Sequence, residues 1–263
     1  MNKNAFETVR LAKGEVNVFD FGGVKLHAYK TNDPISDEVF VVEKNGAAVV
    51  IELPCFFDNI KELSDYLGGM NVAGVFVAYH GAGGSFLPGV PKYATENAAA
   101  YSKNGGGKAL IDKFAAAFGG AFDNSVCTIT DIIGEGKIEV GGIGFVIKKT
   151  QEAFDIEIPE INAVYTHMMG HDCHSIVAGA AHADAIIAQL ESFKAKGFDL
   201  ILTSHYTPED LKDAETKIAY LKELKEIASH CKTADEFKAE AGRRFPGYSG
   251  ENYLDMTAGM FFA

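Results

Sequence analysis

Hydrophobic and polar residues alternate along the first part of the chain in a pattern that predicts β-hairpins. EVNVFDFGGVKLHAYK holds two alternating runs around Gly22-Gly23, and EVFVVEKNGAAVVIEL holds two more around Asn45-Gly46. Short turns of this composition between alternating runs are the strongest local signal for a hairpin. The chain is therefore expected to open with antiparallel strands.

Helical spacing and buried runs follow. DNIKELSDYLGG predicts a helix with Asp58 as its N-cap, VAGVFVAY predicts a strand, and NGGGKALIDKFAAAFGG predicts a further helix. The same order then returns, with a hairpin turn at Gly141-Gly142 and strands in FDIEIPEINAVYTHM. HADAIIAQLESFKAKG then predicts a helix and FDLILTSH a buried strand. Thr207-Pro208 predicts the start of another helix, and Thr233 to Glu236 reads as a capping box.

This repeated order predicts one domain over residues 1–263, with two similar halves. Its two sheets would pack face to face with helices outside, and a helical C-terminal part would begin at about residue 207. The last segment, PGYSGENYLDMTAGMFFA, is too apolar for a free tail. It is expected to pack on the domain or on a second subunit, so a homodimer is compatible with the sequence.

Net charge and cysteine content limit the classes of binding partner and the cellular compartment that the sequence predicts. The formal charge is -12, which repels phosphate backbones and anionic lipid, so neither nucleic acid nor a membrane is an expected partner. No run is apolar and long enough for a membrane span, and the N-terminal residues lack a leader-like apolar stretch. The four cysteines are widely spaced, which favours a reducing compartment and predicts a cytoplasmic protein.

Three buried-looking strands each end in a histidine, and a fourth ends in a carboxylate. The histidines are His80, His167 and His205, and the carboxylate is Glu52. Loops beyond strand ends converge on one edge of a layered α/β fold. Three imidazoles with one carboxylate would suit zinc, nickel or iron, so these four residues are the predicted metal ligands. Glu52 has an alternative role, in which its carboxylate accepts backbone N–H groups and anchors the next loop.

The segment THMMGHDCH, residues 166 to 174, is unusually rich in ligand-type side chains. His171 and His174 are predicted to move protons during catalysis. Cys173 is expected to be a buried structural thiol rather than a ligand.

The chain resembles the metallo-β-lactamase superfamily from about residue 15 to the helix after His205. EVFVVEKNGAAVVIEL is similar to its opening hairpin, VFVAYHGAGGSF to the strand and loop that carry its H-x-H-x-D-H motif, and KAKGFDLILTSH to the passage that delivers its last metal-binding histidine. The resemblance implies an α/β fold, a four-layer αββα sandwich of two mixed sheets.

The motif itself is largely missing. When H-x-H-x-D-H is laid on His80, its other three ligands fall on Ala82, Gly84 and Ser85. If the family's G-H-T segment falls on KKTQEA, His167 stands where the family places a metal-bridging aspartate. A shifted register puts G-H-T on Gly170-His171 and makes His171 the candidate ligand instead. The resemblance therefore implies at most one metal ion rather than the family's pair, held by His80, by His167 or His171, and by His205.

Two functions are expected from these residues. The first is a mononuclear metal-dependent hydrolase of a small molecule, in which metal-activated water attacks and the backbone amides of residues 81–85 stabilise an oxyanion. The second is a non-catalytic protein that keeps the fold and binds a small ligand or a protein partner.

Overall fold

A computed structural model describes residues 3–167 and 170–262 of the chain. The strands and helices follow in chain order. The strands are Glu7–Arg10 (β1), Glu15–Asp20 (β2), Val24–Lys30 (β3), Glu38–Lys44 (β4), Ala47–Ile51 (β5), Asn71–Phe76 (β6), Lys92–Ala94 (β7), Asp131–Ile132 (β8), Gly136–Val140 (β9), Ile143–Lys149 (β10), Phe154–Ile158 (β11), Ala163–Thr166 (β12), Leu200–Thr203 (β13) and Tyr206–Glu209 (β14). The helices are Phe57–Tyr66 (α1), Glu96–Asn104 (α2), Gly106–Phe118 (α3), Gly179–Lys196 (α4), Leu211–His230 (α5), Ala234–Arg244 (α6) and Glu251–Phe261 (α7).

Two mixed sheets carry the fold. The first runs in the order β1-β2-β3-β4-β5-β6-β7-β8, and the second in the order β14-β13-β12-β11-β10-β9. Strands β1 to β5 pair antiparallel, as the predicted hairpins require, whereas β5 to β8 pair parallel. The repeated order of the sequence is confirmed, because β5-α1-β6 and β12-α4-β13 are both parallel pairs joined by a helix.

The two sheets and the helices outside them form four layers, which are held together by apolar side chains. The inner faces of both sheets share one core, in which Phe76 of the first sheet contacts Phe145 and Phe154 of the second. The outer face of the first sheet packs on α1, and the outer face of the second packs on α4 and α5. The predicted αββα sandwich is thereby confirmed.

The C-terminal helices form a cluster of their own against α4. Buried residues of α5, α6 and α7, including Tyr220, Phe237 and Leu254, pack with Ala183 of α4. The apolar C-terminal segment therefore packs on the domain of its own chain, which is the first of the two arrangements predicted from the sequence. No helix among the described residues is long and apolar enough to cross a membrane.

Three local predictions are wrong or incomplete. Pro208 lies in strand β14 instead of opening a helix, and α5 begins after Asp210. Asp58 lies in the first turn of α1 and does not cap it, because the N-cap position is Phe56. Helix α2 had no counterpart in the prediction; it begins after Thr95, whose side chain accepts the Ala98 N–H.

Helix α5 depends on a reciprocal cap that the sequence prediction missed. The Asp210 carboxylate accepts the N–H groups of Lys212 and Asp213, while the Asp213 carboxylate accepts the Asp210 N–H. We expect Asp210→Ala to lower the free energy of unfolding by about 1 kcal/mol. Asp210→Asn, which offers an equally good capping oxygen, should leave it nearly unchanged. Chemical denaturation of both variants measures this, and equal losses in the two would rule out capping as the cause.

Candidate metal centre

The three predicted histidines meet at one edge of the sandwich. His167 directly follows β12, and His205 lies in the turn between β13 and β14. Strands β12 and β13 are parallel neighbours, with Thr166 opposite Thr203, so the segments that carry His167 and His205 begin side by side. His80 follows β6 of the first sheet and reaches the same point from the facing layer.

The geometry of these rings suits one metal ion. The Nε2 atoms of His80 and His205 lie 3.3 Å apart. Two nitrogens bound to a tetrahedral zinc ion at about 2.0–2.1 Å would be separated by roughly 3.3 Å. His167 completes the group, because one ring nitrogen from each histidine lies within 4.8 Å of the other two. The ring of His167 has its centroid 5.1 Å from that of His205 and 5.5 Å from that of His80.

The Nδ1 atoms of His167 and His205 each contact an oxygen atom outside the three-histidine group. Nδ1 of His167 lies 2.9 Å from the Ser204 hydroxyl, and Nδ1 of His205 lies 3.2 Å from the Ile35 carbonyl oxygen. A carbonyl oxygen can only accept, so His205 carries its hydrogen on Nδ1 and directs the lone pair of Nε2 toward the other rings. Such outer contacts are what orient ligating histidines in metal sites.

A chain of hydrogen bonds sets the tautomer of His167. The Tyr165 hydroxyl donates to Glu52 Oε1 at 2.5 Å, and the Ser204 hydroxyl lies 2.5 Å from Tyr165. Since the single hydrogen of Tyr165 goes to the carboxylate, Ser204 donates to Tyr165 and accepts from Nδ1 of His167. The Nε2 atom of His167 is left with a free lone pair.

Glu52 itself is fully buried, and its contacts favour the alternative role given above over metal binding. Its Oε1 also accepts the Tyr79 N–H at 2.8 Å, and its Oε2 accepts the His80 N–H at 2.9 Å. Both oxygens are thus already engaged. Glu52 anchors the backbone that carries His80, and it does not belong to any group of metal-ligand spacing within the described ranges.

Burial and charge control the protonation of the site. Burial, together with the nearby His205 and His80, holds the pKa of His167 well below its usual range, which keeps this imidazole in the neutral form that metals bind. Burial opposes the charged form of His205, but the Asp37 carboxylate outweighs it and raises the His205 pKa overall. Tyr79 covers His167, with the rings stacked at 4.4 Å.

Three amides of the glycine-rich loop after His80 do not take the role predicted for residues 81–85. The amides of Gly83, Gly84 and Ser85 donate to the Asp123 carbonyl, the Ser125 carbonyl and the Asp123 carboxylate, respectively. They are therefore not free to stabilise an oxyanion, which corrects the sequence-based expectation for these three residues. Ala82 is buried in a cluster with Phe56 and Phe122.

His171 and His174 lie outside the three-histidine group. Nδ1 of His171 is 2.7 Å from Glu209 Oε1, and these two form a separate group with Asp213. His174 is buried, with Nδ1 2.8 Å from the Tyr220 hydroxyl. Its contacts support packing and not proton transfer at the site, whereas the catalytic role of His171 stays a prediction. Met168 and Met169, between His167 and His171, lie outside the described residues.

One residue of the site was not predicted from the sequence. Asp37, in the loop before β4, is fully buried, and its Oδ1 lies 3.2 Å from Nδ1 of His205 and 3.7 Å from Nδ1 of His80. It falls in the unpatterned stretch NDPISDEV, where no periodicity or motif distinguishes it from a surface aspartate.

Solved structures similar to this chain share its fold. A sec-alkylsulfatase from Pseudomonas sp. matches with a TM-score of 0.63 at 15% identity over 91% of this chain, which spans 49% of that protein. A metallo-β-lactamase family protein from Thermus thermophilus matches with a TM-score of 0.61 at 14% identity, covering 90% of this chain and 91% of the other. A metallo-β-lactamase from Erythrobacter litoralis matches with a TM-score of 0.56 at 15% identity, covering 82% and 100%.

These likenesses settle the architecture. The chain has the metallo-β-lactamase fold, as its sequence resemblance implied. No family model and no curated protein sequence matches the chain. The site must therefore be interpreted from its own residues.

Proposed function

We propose that the protein is a metal-dependent hydrolase of a small molecule that uses a single divalent transition metal. His80, His167 and His205 would hold the ion, with zinc the first choice and nickel or iron as alternatives. The observation that carries the proposal is the 3.3 Å separation of two Nε2 atoms, with the third imidazole beside them.

The residues present fit such an ion. Three imidazoles are a common donor set for catalytic zinc, which keeps its fourth position open. The outer contacts of His167 and His205 leave their Nε2 lone pairs directed inward. Bound there, the ion would supply Lewis-acid activation of water and of a substrate carbonyl, phosphoryl or sulfuryl oxygen.

A second ion has no comparable ligand set on the loop after His80. The family motif would need side chains at positions 82, 84 and 85, and this chain has alanine, glycine and serine there. A Cβ atom added at Gly84 would lie 2.8 Å from the Ser125 hydroxyl oxygen and 3.0 Å from its carbonyl oxygen. The loop is packed too closely against residues 123–127 to accept a ligating side chain without rearrangement, which favours one ion.

The second candidate function is binding without catalysis. The engaged amides of Gly83, Gly84 and Ser85 support it, because they remove one source of transition-state stabilisation. In that case the three histidines would hold a structural ion or take part in binding a ligand or a partner.

Turnover by reconstituted protein separates the two functions. We expect the purified chain to hold one zinc per molecule after incubation and dialysis, and to hydrolyse at least one member of a panel of esters, lactones, phosphodiesters and secondary alkyl sulfates. The sulfates are included because one similar structure is an alkylsulfatase. Chelator-treated protein is the control and should be inactive. One bound ion without turnover on any panel member favours the binding function, and so does the absence of both a bound ion and turnover when metal is supplied.

A further inference from the structure

The Asp37 carboxylate lies behind two of the three histidines and is held there by its backbone. The Asp37 carbonyl accepts the Thr31 N–H, its own N–H donates to Asp33 Oδ1, and the next residue, Glu38, donates its N–H to the Ser204 carbonyl. The last of these bonds ties the loop to the turn that carries His205. The position of Asp37 at the site is therefore fixed by the fold.

This carboxylate is fully buried beside two imidazoles of the site. Neither of its oxygens has a hydrogen-bond partner among residues 3–167 and 170–262, and the same holds for Nδ1 of His80. A buried carboxylate loses its hydration and needs a charged or hydrogen-bonding partner to offset that cost. Its Oδ1 lies 3.2 Å from Nδ1 of His205 and 3.7 Å from Nδ1 of His80, so these two imidazoles are its charged partners when they carry a proton there.

We infer that Asp37 is a positioning residue of the metal site, one carboxylate that serves two ligating histidines at once. It attracts the Nδ1–H of His80 and shares the Nδ1–H of His205 with the Ile35 carbonyl, so that both Nε2 lone pairs face the common point, and its negative charge balances that of the bound ion. Ligating histidines in general hand their second N–H to a carboxylate, carbonyl or water. The inference rests on the proposed metal site and adds a residue that the histidine pattern does not contain.

A different use of the same residues is a second cation site. Ligand atoms of Asp37, Cys55 and His80 lie within 4.8 Å of one another. The Cys55 thiol, however, already contacts the Leu53 carbonyl oxygen at 3.6 Å, and burial raises its pKa well above the usual range. A thiol that resists ionisation is a poor ligand, so the positioning role is the one favoured here.

The test compares Asp37→Asn with wild-type protein in two measurements. The affinity for Co²⁺ is measured by competition with a chromophoric chelator, and the midpoint of thermal unfolding is measured without metal. We expect Co²⁺ to bind about 10- to 100-fold more weakly to Asp37→Asn, while the metal-free variant still unfolds in one cooperative transition, so that the lost affinity is not a lost fold. Asp112→Asn, which removes the same charge from an exposed position on α3 where the partner is Lys108, is the control and should change Co²⁺ affinity less than about threefold. Asp37→Ser provides a second variant without the charge.

The outcomes that contradict the inference are distinct from those that contradict the metal site. Wild-type affinity in Asp37→Asn overturns it, as does a lower metal-free midpoint in both Asp37 variants with unchanged affinity, which would show a purely structural role. Two cobalt ions per wild-type chain, with a thiolate absorption band that Cys55→Ser abolishes, would assign these residues to a second cation site instead. A wild-type chain that binds no cobalt overturns the proposed function and this inference together.

Discussion

Replacing His205 with alanine is expected to abolish stoichiometric metal binding, with affinity for zinc or cobalt reduced by roughly 100-fold or more. His205 supplies one of two nitrogens that lie 3.3 Å apart, and its removal leaves two imidazoles for the ion. The loss of a direct ligand should exceed the 10- to 100-fold effect typical of an outer contact. Equilibrium titration with a competing chelator measures it.

The fold should survive this change. The His205 side chain is 22% exposed, so its truncation should alter the free energy of unfolding by no more than about 1 kcal/mol. The exposed His230, at the end of α5, offers a matched control. His230→Ala should bind metal like the wild type, and an equal loss of affinity in both variants would show that the titration does not report on the three-histidine site.

Glu52→Ala is expected to destabilise the protein by about 3–5 kcal/mol, the usual cost of removing one partner from a buried charged network. Three donors lose their acceptor in this variant: the amides of Tyr79 and His80 and the hydroxyl of Tyr165. Glu52→Gln keeps one acceptor oxygen and should lose less, roughly 1–3 kcal/mol. Urea denaturation of the metal-free proteins gives both values.

Metal stoichiometry tells an anchoring Glu52 from a ligating one. Glu52→Gln should still bind one ion per chain, with affinity weakened at most about tenfold through the Tyr165–Ser204–His167 hydrogen bonds. Glu7→Ala, on the exposed edge strand β1, should be neutral in both measurements. Loss of the ion in Glu52→Gln with near-normal stability would show that Glu52 is a metal ligand.

Much of the fold could be predicted because it depends on short-range signals. The turns at Gly22-Gly23 and Asn45-Gly46 specify hairpins through local backbone geometry, and the structure has both. The histidines after β12 and β13 could be predicted to meet, because these strands are parallel neighbours and end at one edge of their sheet. His80, after β6 of the facing sheet, could be added because loops beyond strand ends converge in a layered α/β fold.

The remaining features depend on contacts that the sequence does not show. Asp37 is held at the site in part by the hydrogen bond from the N–H of Glu38 to the carbonyl of Ser204, a residue far along the chain. The two roles of Glu52 could not be separated until Tyr165 was seen to donate to it. Strand β14 resembles the start of a helix in the sequence because Thr-Pro is a common helix opening, while pairing with β13 decides the outcome here.

Anomalous diffraction from crystals grown with zinc would test the central claim most directly. The account predicts one zinc peak per chain, bonded to the Nε2 atoms of His80, His167 and His205 at about 2.0–2.1 Å. A peak bonded instead to Asp37 and Cys55, a peak at His171 and Glu209 alone, or no peak at the three histidines would contradict it.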